Sequence, residues 1–256
     1  MLVDVERVGG LWAPGGDERL RAVMVADEVV AWEGVVSGRR FGVREGIGEL
    51  VVAEGLAPLN ERYQALYDGM AGTYDLFAVM MAQGLFANER VVRERSLSRL
   101  VVPAGGTGFE VGVGTGRNRR YVRADSFYYG VDLSWPMLRR CRRNWGEWEV
   151  DGWLGQARAE GLPFGSGVFE VVFEVASFNF FADKGGALAE MGRVLQPGGL
   201  MLVVDETPTA HWDGGWRQAE SFEDPRDYWP ESVVLAGDEV ILEGAFHCFW
   251  GRKRHD

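Results

Sequence analysis

The chain has 256 residues, a formal net charge of −11 and 46% hydrophobic residues. This size and apolar content predict one α/β domain of about 150–200 residues with a smaller addition. The acidic total argues against a nucleic-acid partner, because a protein that follows a phosphate backbone concentrates positive charge on its binding face. No apolar run reaches about 18 residues and no secretory leader is present, so we expect no membrane span. Two cysteines, Cys141 and Cys248, form no disulfide framework and favour a cytoplasmic location. The composition leaves the oligomeric state open.

Residues 1–55 are rich in glycine and valine and are predicted to form a small, separate β-rich domain. Short alternating runs such as RAVMVADEVVAWEGVV are typical of β-hairpins. We expect this unit to pack on the rest of the chain through the apolar side chains of Leu11, Trp12, Val23, Val30 and Phe41.

Residues 56–100 are predicted to be a helical lid or linker, since apolar side chains recur at helical intervals. The glycines at 69 and 72 are expected to interrupt the helix. The third segment is residues 101–256, and the turn PAGGTG at 103–108 leads into its first strand.

This third segment opens with FEVGVGTGRN at 109–118, which predicts a buried strand and a glycine turn that begins a helix. Gly112, Gly114 and Gly116 allow the backbone to turn sharply and to approach a ligand that a Cβ would keep away. A second strand ends at Asp132, which is 132 − 112 = 20 residues after the first glycine. A carboxylate at that strand tip can accept both hydroxyls of a ribose, so the pattern predicts a nucleoside site.

Glu110 distinguishes this pattern from a dinucleotide fold. The glycines read G-x-G-x-G after an acid, whereas a dinucleotide fold uses G-x-G-x-x-G with a pyrophosphate at the helix N-terminus. A carboxylate at this position repels pyrophosphate and attracts a cation. S-adenosylmethionine is a nucleoside that carries an ammonium and a sulfonium, and we expect it as the cofactor.

These residues resemble the first two motifs of the class I S-adenosylmethionine-dependent methyltransferases. The resemblance continues in register over residues 61–208, through AEGLPF at 159–164, FEVVFEVASFNFF at 169–181 and the Pro-Gly-Gly turn at 197–199. Segments such as YYGVDLSW and VVDETP are most similar to the branch grouped with ubiquinone/menaquinone C-methyltransferases. The resemblance implies a Rossmann-like, seven-stranded, doubly wound α/β sheet with a reversed C-terminal hairpin.

The resemblance also implies which residues bind the cofactor. In this branch the segment YDGMAGTYDLF would cover the cofactor, which makes Tyr67 and Tyr74 contacts; the alternative is that both tyrosines pack the helix on the sheet. The implied cofactor-binding residues are Glu110, Gly112, Gly114, Gly116, Asn118, Asp132, Leu133, Ala159, Glu160, Glu174, Tyr67 and Tyr74.

Two positions depart from the family pattern. Arg158 stands where the family usually has an acid that binds the adenine amino group, which leaves the backbone amide of Ala159 for the adenine. Glu174 is expected at the mouth of the site, where it could bind a cationic acceptor, act as a base or face solvent. The candidate catalytic residues are Glu174, His211 and Tyr74, and Asp205 and Glu206 are further candidate bases near a strand end.

A second resemblance concerns the first segment. SGRRFGVREGIGELV at 37–51 resembles the small zinc ribbon of methyltransferase activators, which holds its metal with four cysteines. The corresponding positions in this chain are Ala13, Gly16, Gly34 and Ser37, and none of them can bind zinc. We therefore expect a ribbon without metal.

Three functions follow from these patterns. We expect methyl transfer to a small-molecule acceptor, although the sequence does not say whether carbon, nitrogen or oxygen is methylated. An RNA methyltransferase is the alternative suggested by the ribbon-like segment, and the negative charge opposes it. The basic stretches at 117–123 and 139–144 are expected to be solvated helix faces. The third function is a partner subunit that binds S-adenosylmethionine without turnover.

Overall fold

The computed structural model describes residues 11–14, 18–26, 28–51, 57–70, 89–122, 125–206, 223–241 and 246–255. The strands in these ranges are β1 Leu20–Val25, β2 Glu28–Gly34, β3 Arg40–Arg44, β4 Ile47–Glu49, β5 Thr107–Val111, β6 Phe127–Asp132, β7 Gly152–Gln156, β8 Phe169–Val175, β9 Leu195–Glu206, β10 Val233–Ile241 and β11 Phe246–Lys253. The α-helices are α1 Pro58–Met70, α2 Glu89–Leu97, α3 Trp135–Glu147 and α4 Lys184–Val194.

The strands of these ranges form one sheet in the order β1-β2-β3-β4-β7-β6-β5-β8-β9-β11-β10. Strands β7, β6, β5, β8 and β9 are parallel neighbours. Strand β11 runs antiparallel to β9 and pairs with β10, so the last two strands form a reversed hairpin. The last seven strands in this order, β7 to β10, are the predicted seven-stranded sheet with its reversed C-terminal hairpin, which is confirmed, and β1 to β4 extend it to eleven strands.

Two apolar clusters cover opposite faces of this sheet. Tyr128 of β6 belongs to one cluster and the next residue, Tyr129, to the other. Because successive side chains of a strand point to opposite faces, the clusters lie on opposite sides. Helix α3 contributes Trp145 to the cluster of Tyr128, and α4 contributes Met191 to the cluster of Tyr129. The sheet is therefore doubly wound, as predicted.

The N-terminal strands extend the main sheet. Strands β1 to β4 are an antiparallel meander, and β4 pairs in parallel with β7. Leu11 and Phe41 lie in the same apolar cluster as Phe109 at the centre of the sheet. The first segment was expected to form a separate β-rich domain. Its described strands are instead joined to the main sheet, because β4 pairs with β7 and because Leu11 and Phe41 share the apolar cluster of Phe109.

The apolar residues that were predicted to pack this segment on the rest of the chain differ in their burial. Leu11 and Phe41 are buried, and the backbone N–H of Trp12 donates to the carbonyl of Pro163 at 3.0 Å. Val30 is 39% exposed, so its predicted packing role is wrong. The domain boundaries at residues 55 and 100 stay predictions.

Candidate functional site

A cleft of about 1000 Å³, open mouth included, lies at the carboxyl ends of the central parallel strands. This is where open α/β sheets bind ligands, because the loops after neighbouring strands diverge there. Its walls come from the turns that follow β5, β6, β7 and β8 and from one face of α1.

The glycine turn after β5 forms the floor of the cleft. Gly114 has φ +51°, and a Cβ built there would have nothing within 4 Å, so its missing side chain leaves open cleft space. Gly112 instead makes room for Ser177, whose Oγ would lie 2.5 Å from an added Cβ. The turn leads into a short 3₁₀ helix, Arg117–Tyr121. Gly112 and Gly114 both line the cleft, and their contact with a ligand stays a prediction.

Gly116 has a structural role at the end of the same turn. It has φ +80°, and an added Cβ would meet the side chains of Trp145 and Cys141 on α3. Its missing side chain allows α3 to pack against the turn. Gly116 is not among the described residues that line the cleft, and its contact with a ligand stays a prediction.

Asp132 lies at the tip of β6 and lines the cleft, as predicted. One carboxylate oxygen accepts the backbone N–H of Gly114 at 2.8 Å, and the other accepts that of Ser134 at 2.9 Å. Burial raises the pKa of Asp132 against these hydrogen bonds. A carboxylate has about four acceptor positions, so Asp132 can hold the glycine turn and still accept hydrogen bonds from a ligand.

Glu110 does not line the cleft, which corrects its predicted direct contact with a cation. Its side chain is fully buried behind the turn, where Oε1 accepts from Nδ2 of Asn118 at 2.6 Å and Oε2 accepts from the hydroxyl of Tyr128. Burial raises the pKa of Glu110 to about 7. Asn118 does line the cleft, and its Oδ1 accepts from Nε of Arg93 at 2.5 Å. Glu110 therefore reaches the cleft only through Asn118.

The residues predicted at the other end of the site also line the cleft. The carbonyl of Leu133 accepts from the side chains of Gln64 at 3.2 Å and Gln156 at 2.9 Å. Ala159 and Glu160 follow β7, and Oε1 of Glu160 accepts the backbone N–H of Ala182 at 3.1 Å. Arg158 lines the same wall.

Glu174 is not at the mouth of the cleft. Its carboxylate is fully buried and accepts the backbone N–H groups of Ser177 at 2.8 Å, Phe178 at 3.0 Å and Val204 at 2.9 Å. Burial and then the neighbouring Asp205 raise its pKa well above the usual value. Glu174 fixes the turn after β8, so its predicted position as a surface base or acceptor contact is wrong.

That turn contains Ala176, which lines the cleft with φ +61°. This left-handed conformation costs an L-residue about 1–2 kcal/mol and has to be fixed by its surroundings. The N–H of Ala176 donates to the carbonyl of Val204 at 2.7 Å, and Glu174 holds the next two residues. Asp205 is also buried and accepts the N–H of Asn179 at 2.8 Å.

Helix α1 lines one side of the cleft, and the role of residues 56–100 as a lid stays a prediction. Tyr67 lines the cleft and meets the ring of Phe180 edge-on at 5.5 Å, and Tyr63 meets the same ring at 4.9 Å. Asp68 accepts from the hydroxyl of Ser134 at 2.5 Å, which ties the helix to the tip of β6. Tyr74 and His211 lie outside the described residues, and so does the side chain of Glu206.

Sequence reasoning missed several residues that line the cleft, among them Tyr63, Arg93, Arg117 and Phe180. Tyr63 lies four residues before Tyr67, so helical spacing could have placed both rings on one face. Arg93 lies on α2, outside every motif, and only the fold brings it to the cleft.

Comparison with known proteins agrees with this geometry. Residues 109–203 match the family model described as a methyltransferase domain, a span that contains the glycine turn, Asp132 and Ala159. This matched segment lies within the doubly wound sheet, which is a Rossmann-like α/β fold.

The chain is similar to curated proteins named ubiquinone/menaquinone biosynthesis C-methyltransferase. It is 30% identical over 152 residues to that of Desulfotalea psychrophila, which is 57% of this chain and 59% of the relative. It is 29% identical over 157 residues to that of a Marinomonas species, covering 58% and 61%. The chain thus spans about three fifths of the length of these relatives.

Solved structures share the fold at low identity. Geranyl diphosphate C-methyltransferase from Streptomyces coelicolor A3(2), determined with Mg²⁺, geranyl diphosphate and S-adenosyl-L-homocysteine, matches 78% of this chain and all of its own with a TM-score of 0.60 and 14% identity. A Haloferax volcanii complex of a methyltransferase activator and a putative methyltransferase matches 74% of this chain and 98% of the other, with a TM-score of 0.60 and 18% identity. The N-terminal zinc-ribbon resemblance has no support among these comparisons and stays a prediction.

Proposed function

We propose that this protein transfers the methyl group of S-adenosylmethionine to a small-molecule acceptor. The observation that carries the proposal is the carboxylate of Asp132, which faces the cleft beside the open side of Gly114 within the matched methyltransferase segment. A ribose above Gly114 can donate two hydroxyls to that carboxylate.

The order of the strands sets the pose of the cofactor in this proposal. The adenine lies against the wall after β7, next to Ala159, and the ribose lies at Asp132 on the neighbouring strand. The methionine end then continues across Gly114 towards Asn118. The sulfonium methyl faces the remaining wall, formed by the turn after β8 and by α1.

The acceptor side of the cleft is aromatic. Tyr63, Tyr67 and Phe180 pack edge to face there, and such a surface favours a flat, apolar small molecule. The similar proteins that are named as quinone C-methyltransferases support an acceptor of this kind. We expect no nucleic-acid partner, given the net charge of −11.

Methyl transfer requires little side-chain chemistry from the protein. The sulfonium is already a good leaving group, so the cleft mainly has to hold the acceptor atom in line with the methyl group and to exclude water. A base is needed only if the acceptor is protonated, and it must then lie within hydrogen-bond reach of the acceptor. Tyr74 and His211 stay candidates for that role.

A cytoplasmic location is part of the proposal, and the two buried free thiols, Cys141 and Cys248, support it. Among the described helices, none combines the length and apolar character that a membrane crossing requires.

Titration calorimetry with S-adenosylmethionine and S-adenosylhomocysteine tests the proposal. We expect one site per chain for each ligand, and methyl transfer to a reduced quinone by mass spectrometry. Failure of the protein to bind either ligand would refute the proposed cofactor, and binding without transfer to any small molecule would favour the partner-subunit alternative.

A further inference from the structure

The turn between β2 and β3 carries the most exposed large apolar side chain of the described residues. Val36 is 88% exposed and its neighbour Val35 is 57% exposed. We call residues 35–38, which connect the two strands, the valine tip. A single exposed valine is ordinary on a protein surface, whereas two adjacent valines at the end of a hairpin form a protruding apolar surface. The valine tip lies outside residues 109–203 and outside the lining of the cleft, so the proposed function does not use it.

The backbone N–H groups of residues 34–39 all have acceptors within the protein. The carboxylate of Glu18 accepts those of Val36 and Ser37 at 3.0 Å each. The other four are accepted by the hydroxyl of Ser37 and by the carbonyls of Arg19, Gly34 and Arg39. A turn with satisfied N–H groups can leave water at a lower cost than one with open donors, because an unpaired donor in an apolar phase costs several kcal/mol.

Positive charge surrounds the valine tip. The described residues 18–21 and 33–40 contain four arginines and two glutamates, a local charge of 4 − 2 = +2. The guanidinium groups of Arg19 and Arg39 lie over the rings of Trp12 at 5.9 Å and Phe41 at 5.1 Å, beside the tip. The net charge of −11 belongs to the whole chain, and screening over about 8 Å at physiological ionic strength leaves the local charge in control of a nearby surface.

The valine tip lies at the edge of the sheet where the cleft opens. Strand β4 runs parallel to β7, β3 runs antiparallel to β4, and β2 runs antiparallel to β3. The end of β2 therefore lies at the same edge as the carboxyl ends of the central strands. Three strand spacings separate β2 from β7, which is about 14 Å.

We propose that the valine tip docks on the headgroup region of an anionic lipid bilayer. Val35 and Val36 enter the boundary between headgroups and acyl chains, and Arg19 and Arg39 bind lipid phosphates. Apolar burial and attraction to anionic lipids together set the strength of such surface binding. Because the tip and the mouth of the cleft share one edge, docking turns the cleft towards the bilayer. The consequence that a flat, apolar acceptor enters from the lipid phase rests on the proposed function, whereas the docking itself does not.

Cosedimentation of the full chain with vesicles tests the docking without cofactor or acceptor. We expect stronger binding to vesicles of equal parts phosphatidylcholine and phosphatidylglycerol than to vesicles of phosphatidylcholine alone, and weaker binding at high salt. The double variant Val35→Ser, Val36→Ser should lower the partition coefficient roughly 10-fold. The double variant Arg19→Gln, Arg39→Gln should lower it roughly 30-fold on the anionic vesicles.

The matched control is the double variant Val234→Ser, Val240→Ser. Both valines are 50% exposed and lie on β10, the strand at the other side of the sheet. This control loses the same two side chains from another surface and should bind vesicles as the wild type does. In methyl transfer, the valine-tip variant should be slower than the wild type on a quinol embedded in vesicles and equal to it on a water-soluble quinol.

Three outcomes would overturn the inference. The first is a wild-type protein that does not sediment with the anionic vesicles, and the second is a valine-tip variant that binds them as the wild type does. The third is a protein that forms dimers in solution which the valine-tip variant loses, because the valines would then belong to a contact between two chains. A protein that binds vesicles but not S-adenosylmethionine would refute the proposed function alone, so the two failures are distinguishable.

Discussion

Replacing Asp132 with alanine removes the carboxylate on which the proposed ribose contact depends. Hydrogen bonds to charged groups contribute about 1.5–3 kcal/mol each, and water replaces part of that, so the loss from two ribose hydroxyls should be about 2–3 kcal/mol. At about 1.4 kcal/mol per factor of ten, the dissociation constant for S-adenosylhomocysteine should rise roughly 30- to 150-fold. Titration calorimetry measures this directly.

Asp132→Ala should also change the stability of the folded protein. The N–H groups of Gly114 and Ser134 lose their acceptor, which costs about 1–3 kcal/mol each where no water replaces it. Burial of the carboxylate opposes this cost, since it raises the pKa of Asp132. Urea denaturation should therefore show a modest loss of stability.

Two further variants distinguish a loss of ligand affinity from a loss of folding stability. Asp132→Asn keeps one acceptor oxygen and should lose less affinity than alanine. Asp151→Ala removes an exposed carboxylate just before the amino end of β7, whereas the cleft lies at the carboxyl ends of the strands. This variant should leave binding unchanged. A folded Asp132→Ala protein that binds S-adenosylhomocysteine within twofold of the wild type would refute the reasoning.

Three other predictions follow. Gly114→Val should weaken S-adenosylhomocysteine binding more than Asp132→Ala in calorimetry, because φ is +51° and the new side chain would enter the cleft; unchanged binding would exclude a ligand at the turn. Glu110 has its pKa raised from 4.5 to about 7 by burial, so the folded state holds this proton at higher pH than the unfolded chain and stability falls as pH rises through that window. Between pH 5 and 8 the wild type should lose roughly 2–3 kcal/mol of unfolding free energy more than Glu110→Gln in urea denaturation, and parallel profiles would show that Glu110 does not titrate there. Elemental analysis of dialysed protein should find no stoichiometric zinc, since alanine, glycine and serine occupy the ribbon's ligand positions; one equivalent would show that the ligands were misread.

Much of the cleft could be predicted because parallel strands put their loops at one edge. The apolar run before Gly112 predicted a buried strand, and Asp132 ends the next one. Once both are parallel neighbours, the turn after one strand and the tip of the other must meet, as the hydrogen bond from Gly114 to Asp132 shows.

The position of Glu174 could not be predicted from its place in the motif. Residue order puts it at the end of β8, but its burial depends on the left-handed turn at Ala176 and on the backbone of Val204, which belongs to the neighbouring strand. The sequence alone does not distinguish a buried glutamate that accepts several backbone N–H groups from a glutamate that faces solvent.

The pairing of β4 with β7 is another long-range feature. Alternating apolar residues predicted strands in the first segment, but alternation does not name the partner strand. Arg93 is a similar case, because helix α2 has no motif and its contact with Asn118 joins residues 25 positions apart.

The central claim is that this cleft holds S-adenosylmethionine with its ribose on Asp132. A crystal structure with S-adenosylhomocysteine tests it most directly. We expect both ribose hydroxyls within about 3 Å of the Asp132 carboxylate and the adenine beside Ala159. A ligand bound outside this cleft, or one whose ribose lies away from Asp132, would contradict the account.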